Sequence, residues 1–403
     1  MKNVVIIGGG ASGLMAALTA AEDKNNKVII LERQARIGRK LLATGNGRCN
    51  LTNVDASPAN YHGEVPEFAV PALEKFPPEK VLEFFGSLGL VTVTEYGGRV
   101  YPLSNSANSV LDVLRFALEK DNIELKTGCS AKEIRRDGQG FKVLTDSETI
   151  AADYLIVACG GAAGAKLGGV MDGYELLQAL GHKRTKLYPA LVQITSNSPY
   201  PRSLKGVRAM CSVKLCSGKT LLASSYGELQ FTESGVSGPA AFDISRCAST
   251  EGSGCTLHLD FLRDYSENDI FAMLSRRRAG FPLIFTDDLL TGILHNRLGR
   301  MVVKYAGLAS GTELNLLDDA QLHAVAAACK NFCIDVAGTE GFDNAQVTAG
   351  GIKTTGINPE TMESWFVPNL FICGELLDID ADCGGYNLQW AWASGHLAGR
   401  LGK

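Results

Sequence analysis

Six residues near the start of the chain, Gly8-Gly9-Gly10-Ala11-Ser12-Gly13, follow the order G-x-G-x-x-G, and Glu32 stands 19 positions after the last of them. Each glycine has a separate task in holding a nucleotide pyrophosphate. Gly8 permits a tight turn, Gly10 lets backbone approach phosphate, and Gly13 lets a helix pack close to a strand. A helix opening at Ala11 and Ser12 offers the phosphates unpaired N–H groups and the positive end of its dipole. Glu32, followed by Arg33, can accept hydrogen bonds from an adenosine ribose, and its charge repels a 2′-phosphate. The chemistry is dinucleotide binding, with FAD and NAD both open at this point.

The elements that must position these residues are legible on either side. Lys2 to Gly8 is a short run of β-branched residues, the pattern of a buried parallel strand. Leu14 to Glu22 is rich in helix formers and free of Gly and Pro, and Lys27 to Leu31 is a second apolar strand. Strand, helix, strand and acid are in register, so the motif sits where a βαβ unit needs it.

Two further stretches choose between the cofactors. From Arg33 to Asn53 the chain is basic, then small, then polar. Arg39 and Lys40 can neutralise phosphate or flank an adenine, and Thr44-Gly45-Asn46-Gly47 is a loop with N–H groups free to meet a ligand. Near the C-terminus, Asn369 to Cys373 is a buried strand running into Gly374-Glu375, and Gly384-Gly385-Tyr386-Asn387-Leu388 opens a helix expected from Trp390 to Leu401. That helix N-terminus would face a flavin where negative charge builds on reduction. An NAD enzyme does not need such a contribution from its last forty residues, so the choice moves to FAD. Asp153 to Gly161 is another buried strand whose end, at Gly160-Gly161, needs bare backbone. It lacks the G-x-G-x-x-G order, so no second nucleotide site is assigned there.

Elsewhere the pattern predicts a helix from Pro77-Pro78, a hairpin of Val91–Thr94 with Arg99–Tyr101 across Gly97-Gly98, and a helix from about 109 to 120. A small antiparallel meander is expected from Ile123–Lys126, Ala131–Arg135 and Gly140–Leu144. Composition changes near Tyr188-Pro189. Strands at Leu191–Thr195, Val207–Leu215 and Thr256–Asp260 precede helices at about 266–278, 289–298 and 318–330. The expected fold class is α/β: a Rossmann-like FAD-binding domain, 1–189 with 341–403, made of a parallel sheet plus a small antiparallel insert. A mixed β/α substrate domain, 190–340, is inserted in it, β-rich over about 190–262 and helical over about 263–335.

At 403 residues, with 45% hydrophobic and 20% charged residues, the composition is that of a soluble enzyme. A net charge of −4 gives no electrostatic case for nucleic acid or an anionic membrane, and no apolar run reaches membrane length. Eleven cysteines, with no metal-ligand spacing, point to a reducing compartment, and the expected location is the cytoplasm. No metal is expected, the partner is a small-molecule substrate, and the oligomeric state is not encoded in these patterns.

The motifs Val5 to Leu14, Gly38 to Asn53, Gly98 to Pro102, Thr232 to Pro239, Gly350-Gly351, Gly374 to Asp378 and Gly384 to Gln389 together resemble the BaiN-like and aminoacetone-oxidase group of bacterial flavoproteins, within the glutathione-reductase-like FAD superfamily. The resemblance implies that Gly8, Gly10, Gly13 and Glu32 hold the ADP half of FAD. It implies that Arg39, Lys40, Thr44, Gly45 and Asn46 line the cofactor toward the flavin, and that Glu375 and Gly385 to Leu388 close it from the other side. It implies an FAD-dependent oxidoreductase. Reduction of a conjugated C=C in an enone such as an oxidised bile acid or steroid, driven by NAD(P)H, is favoured over oxidation of aminoacetone-like amines by O2. An FAD-binding sensor or partner protein is a third reading. Tyr101, Tyr188 and Tyr386 are candidate proton donors, and Arg48 and Arg99 candidate carboxylate ligands. One departure is Gly164 to Gly168, where the family pattern calls for Pro and Ser.

Overall fold

Apolar runs with no polar face bury four strands of a five-stranded sheet on both sides, and the edge strand Ile123–Thr127 stays partly exposed. Five parallel strands form the sheet: β1 (Lys2–Ile7), β2 (Asn26–Glu32), β3 (Ile123–Thr127), β4 (Tyr154–Val157) and β5 (Leu370–Ile372), in the order β5-β4-β1-β2-β3. Val4, Val5, Ile6, Val28 and Ile30 are fully buried. Helix α1 (Ala11–Ala20) follows β1, and α2 (Arg39–Ala43), α3 (Ala107–Ala117) and α4 (Tyr386–Gly399) come later in the chain.

The computed structural model describes residues 1–403, which divide into one unit of Met1–Tyr188 with Phe342–Lys403 and another of Pro189–Gly341. The first unit carries the Rossmann-type parallel sheet and a three-stranded antiparallel sheet, Ala131–Asp137, Gly140–Thr145 and Thr149–Ala152, which is the α/β class expected from the sequence. The expected meander is corrected in one strand. Ile123–Thr127 pairs in parallel with β2, Val28 opposite Ile123 and Ile30 opposite Leu125, rather than with Ala131–Asp137. Its alternation of Ile and Leu with Glu and Lys reads alike on a parallel or an antiparallel edge. The preceding α3 supplies the crossover that a parallel neighbour requires.

The two termini of the chain are locked together by α1 and α4. A side chain at Gly395 would collide with the backbone oxygen of Ser12, and one at Gly399 would lie 2.5 Å from that of Ala16. Trp390 Nε1 donates to Gly374 O at 3.1 Å and Trp392 Nε1 to Leu51 O at 2.9 Å, both buried. On the same helix His396 stacks on Phe76 at 4.3 Å and shares a hydrogen bond with Thr19 Oγ1 at 3.2 Å. Burial, reinforced by Arg400 and Lys80, pushes its imidazole down to about 4. In the unfolded chain His396 takes a proton below 6.5, and in the fold it resists until about 4. Stability is therefore lost as pH falls through that window, by about 1.4 kcal/mol per pH unit and at most roughly 3 kcal/mol. Urea midpoints at pH 7 and pH 5 should fall further for the native chain than for His396→Gln. Equal falls would remove His396 as the source.

In the second unit seven antiparallel strands run in the order Phe332–Asp335, Thr256–Asp260, Arg208–Ser217, Thr220–Phe231, Gly235–Ser237, Ile194–Thr195, Gly338–Thr339, with helices at Pro239–Glu251, Glu267–Gly280, Asn296–Tyr305 and Asp319–Lys330. The helix expected over 289–298 lies instead at Asn296–Tyr305. Gly292, at φ 81°, breaks the apolar run, and His295 Nδ1 accepts from Arg297 N at the true start. The strand Thr220–Phe231 escaped the pattern because polar or small residues stand on both its faces, Ser224 and Glu228 on one and Ser225 and Gly227 on the other, and dilute the apolar alternation.

Candidate cofactor cleft

The turn between β1 and α1 is shaped by contact rather than by side chains. Gly8 has φ 113°, and a Cβ at Gly13 would strike the Gly8 carbonyl, so the helix sits against the turn at backbone distance. A Cβ at Gly10 or at Gly160 would meet nothing within 4 Å, because both backbones face open space. Neither α1 nor α4 has a side-chain N-cap, and both begin at glycines, Gly10 and Gly385.

That open space is a cleft with about 1340 Å³ of empty volume, its solvent-facing part included, and residues from both ends of the first unit line it. From the N-terminal end come Gly8, Gly10, Ala11, Ser12, Glu32, Arg33, Arg39, Lys40 and Thr44. Gly160 joins them from the end of β4, and Glu375, Asn387 and Leu388 from the C-terminal end. Gly13, Gly45, Asn46, Gly374, Gly385 and Tyr386 do not line it. Gly13, Gly374 and Gly385 instead let backbones pass at close range. Added side chains would meet Gly8 O, Ser12 Oγ and Thr52 O respectively.

The polar groups of the cleft are held before any ligand is considered. Glu32 accepts from Gly9 N at 2.8 Å and from Gln34 N at 2.7 Å, which fixes its carboxylate beside the glycine turn. Lys40 Nζ reaches across 335 residues of sequence to Glu375, at 2.9 and 2.6 Å to the two oxygens, and Thr348 N donates to the same carboxylate at 2.8 Å. Arg39 donates to Gln34 Oε1 at 2.7 Å and to Lys166 O at 2.9 Å, while Arg33 reaches Gly168 O at 3.3 Å. The departing Gly164 to Gly168 stretch is thus part of the wall. Cys159 also faces the cleft, and burial pushes its thiol up to about 12, so it stays protonated. Cys49 is pushed to about 12 for the same reason.

None of the five candidate proton-transfer or anion-binding residues, Arg99 included, lines the cleft. Tyr101 is buried under the Arg48 guanidinium, 3.9 Å from its ring centre, and burial raises its hydroxyl. Arg48 is engaged by Glu95 and Asn105. Lys186 lies 4.8 Å over the Tyr188 ring. The Tyr386 ring packs over Gly384, and its backbone oxygen accepts from Tyr61 OH at 3.1 Å.

Sequence reasoning missed several lining residues. Gly38, at φ 68°, carried a signal in its own type; Gln346, Val347 and Cys129 to Ala131 carried none. It also missed Asn50, whose buried Oδ1 has no hydrogen-bond partner. This atom lies between the Thr44–Asn46 loop and Gly385, 2.8 Å from where a Gly385 side chain would begin.

The description HI0933-like protein Rossmann domain matches residues 2–401. The chain is 40% identical over 405 residues to a 3-dehydro-bile acid delta(4,6)-reductase of Clostridium scindens, covering 99% of this chain and 98% of that one. It is 29% identical over 395 residues to a ribosomal RNA dihydrouridine synthase of Escherichia coli, covering 97% and 96%. Among solved structures it is similar to a 3-ketosteroid delta1-dehydrogenase from Sterolibacterium denitrificans (TM-score 0.51, 12% identity, 99% of both chains). It is also similar to a flavocytochrome c3 fumarate reductase (TM-score 0.50, 15% identity, 99% of this chain and 78% of that one). At these identities the two solved structures speak for the fold alone. Matched over nearly its whole length, the chain belongs to the HI0933-like family of FAD-binding Rossmann proteins.

Proposed function

We propose that this chain is an FAD-dependent reductase that adds hydrogen across a C=C bond conjugated to a carbonyl, in a small molecule such as an oxidised bile acid or steroid, with NAD(P)H as reductant. The observation that carries the substrate class is the 40% identity, end to end, to the bile acid reductase. The activity named for the Escherichia coli relative also saturates a C=C conjugated to a carbonyl, which favours reduction over amine oxidation. That relative acts on RNA. The net charge of −4 gives this chain no comparable attraction for a polyanion, so a small substrate is the better reading.

The residues fit FAD. Bare backbone at Gly10 and Gly160 faces the cleft, two helices begin there, and an orphaned acceptor at Asn50 stands beside Gly385. The N–H groups of Ala11 and Ser12 would hold the pyrophosphate, and Glu32 the ribose of the adenosine. Lys40, Glu375, Asn387 and Leu388 would hold the flavin-bearing half. FAD, when bound, supplies a two-electron transfer that side chains cannot provide. The protein's share is orientation, the dipole of α4, and the exclusion of water by Val347, Ile379, Leu388 and Trp390 along the wall.

The test is anaerobic absorbance of the purified protein. NADH or NADPH should bleach the flavin band, and a 3-oxo-Δ4,6 bile acid should restore it in amounts matching the enone consumed. Bleaching by aminoacetone instead, or no recovery with any enone, would sink the reading.

A further inference from the structure

A second groove runs beside the cofactor cleft and shares Gln34, Arg36 and Arg39 with it. Its outer wall is α3, from Asn108 to Arg115, and its floor includes Leu42, Leu111 and Leu125. Eight helical residues, seven rises of about 1.5 Å, give this wall a length of about 10 Å. Three arginines, Arg36, Arg39 and Arg115, face one acid, Asp112, in a chain whose overall charge is negative. Arg36 has no hydrogen-bond or ion-pair partner in the protein. Arg115 has only the exposed Asp112, at 3.3 Å one turn away, an interaction of little worth in water.

We propose that this groove binds the phosphate-bearing half of a nicotinamide dinucleotide and prefers one with a 2′-phosphate. The inference rests on the reductase reading for the identity of the ligand, but on the groove itself for its chemistry. Guanidinium forks match phosphate oxygens two at a time, and the exposed Leu125 gives an adenine an apolar surface. The neighbouring cleft has the opposite preference, since Glu32 repels a 2′-phosphate there. The two sites therefore sort dinucleotides by that one group. Leu42, which lines the groove, precedes Thr44 of the cofactor cleft by two residues in the chain. A dinucleotide laid along α3 with its adenosine toward Arg115 has its other end directed to that loop.

The test uses the FAD-loaded protein and calorimetric binding of 2′,5′-ADP, which carries the 2′-phosphate but no nicotinamide, against 5′-ADP. The native protein should bind 2′,5′-ADP about tenfold more tightly. Arg115→Glu, which lies outside the cofactor cleft, should remove the preference with FAD content and thermal midpoint unchanged, and Arg36→Glu, which borders both, should remove it in the fraction that carries FAD. No preference in the native protein, or one that survives both substitutions, overturns the proposal. Binding of 2′,5′-ADP without bleaching by NADPH supports the groove and sinks the reductase reading. Bleaching without such binding does the reverse.

Discussion

Gly395→Val is expected to yield a protein without flavin. The added side chain is aimed at the Ser12 backbone, where α4 crosses the first turn of α1. Interiors packed at this density do not absorb three extra carbons without movement, and overpacking costs about 1–3 kcal/mol even where neighbours can shift. Here the obstacle is backbone, so the helices must part, and the two N-termini that face the cleft separate with them. FAD retained after gel filtration should fall to about a tenth of the native content or less, a loss of about 1.4 kcal/mol or more in binding. Gly395→Ala should be intermediate in flavin content. Gly307→Ala, where an added Cβ meets nothing within 4 Å although φ is 86°, controls for the loss of a glycine as such. Native flavin content in Gly395→Val would show that the contact between the helices does not govern the cleft.

Lys40→Glu should have an effect of similar size by a different route. Lys40 and Glu375 are both less than one-third exposed, so water screens them only partly. The substitution removes an attraction and sets two carboxylates about 4 Å apart, a repulsion of about 4 kcal/mol at an effective dielectric near 20. It also turns a cation that lines the cofactor cleft into an anion. The thermal midpoint should drop by several degrees and FAD affinity by about a hundredfold. Lys40→Met leaves Glu375 with its Thr348 N–H but no cation, and should fall between. The exchange Lys40→Glu with Glu375→Lys should recover most of the thermal midpoint, because the pair is restored with its sign reversed. If the exchange is no more stable than Lys40→Glu alone, the ion pair is not the cause.

Much of this arrangement could be read from residue types. The glycine turn, Glu32 and the buried strands are local signals, and α/β architecture follows from them. Lys40 and Glu375 were each legible as cleft residues, one from its basic loop and the other from its place after a strand. Their pairing was not, because no local pattern records a contact spanning 335 residues. The same limit explains Gln346 and Val347, which reach the cleft only through the fold. Tyr101 and Arg48 show the converse. Their types suit proton transfer and anion binding, yet Tyr101 lies under Arg48, and Glu95 and Asn105 occupy the guanidinium. The misplaced helix near Gly292 and the strand taken for part of the meander are boundary and pairing errors. An apolar run fixes burial there, while a glycine or a crossover helix decides the partner.

The most direct measurement is a titration of the flavin-free protein with FAD, followed by quenching of flavin fluorescence. Both ends of the chain meeting at one cofactor predicts saturation at one FAD per chain, with tight binding in the native protein and loss of that binding in Gly395→Val and Lys40→Glu alike. A native protein that takes up no FAD, or whose uptake ignores one end of the chain, would contradict the account.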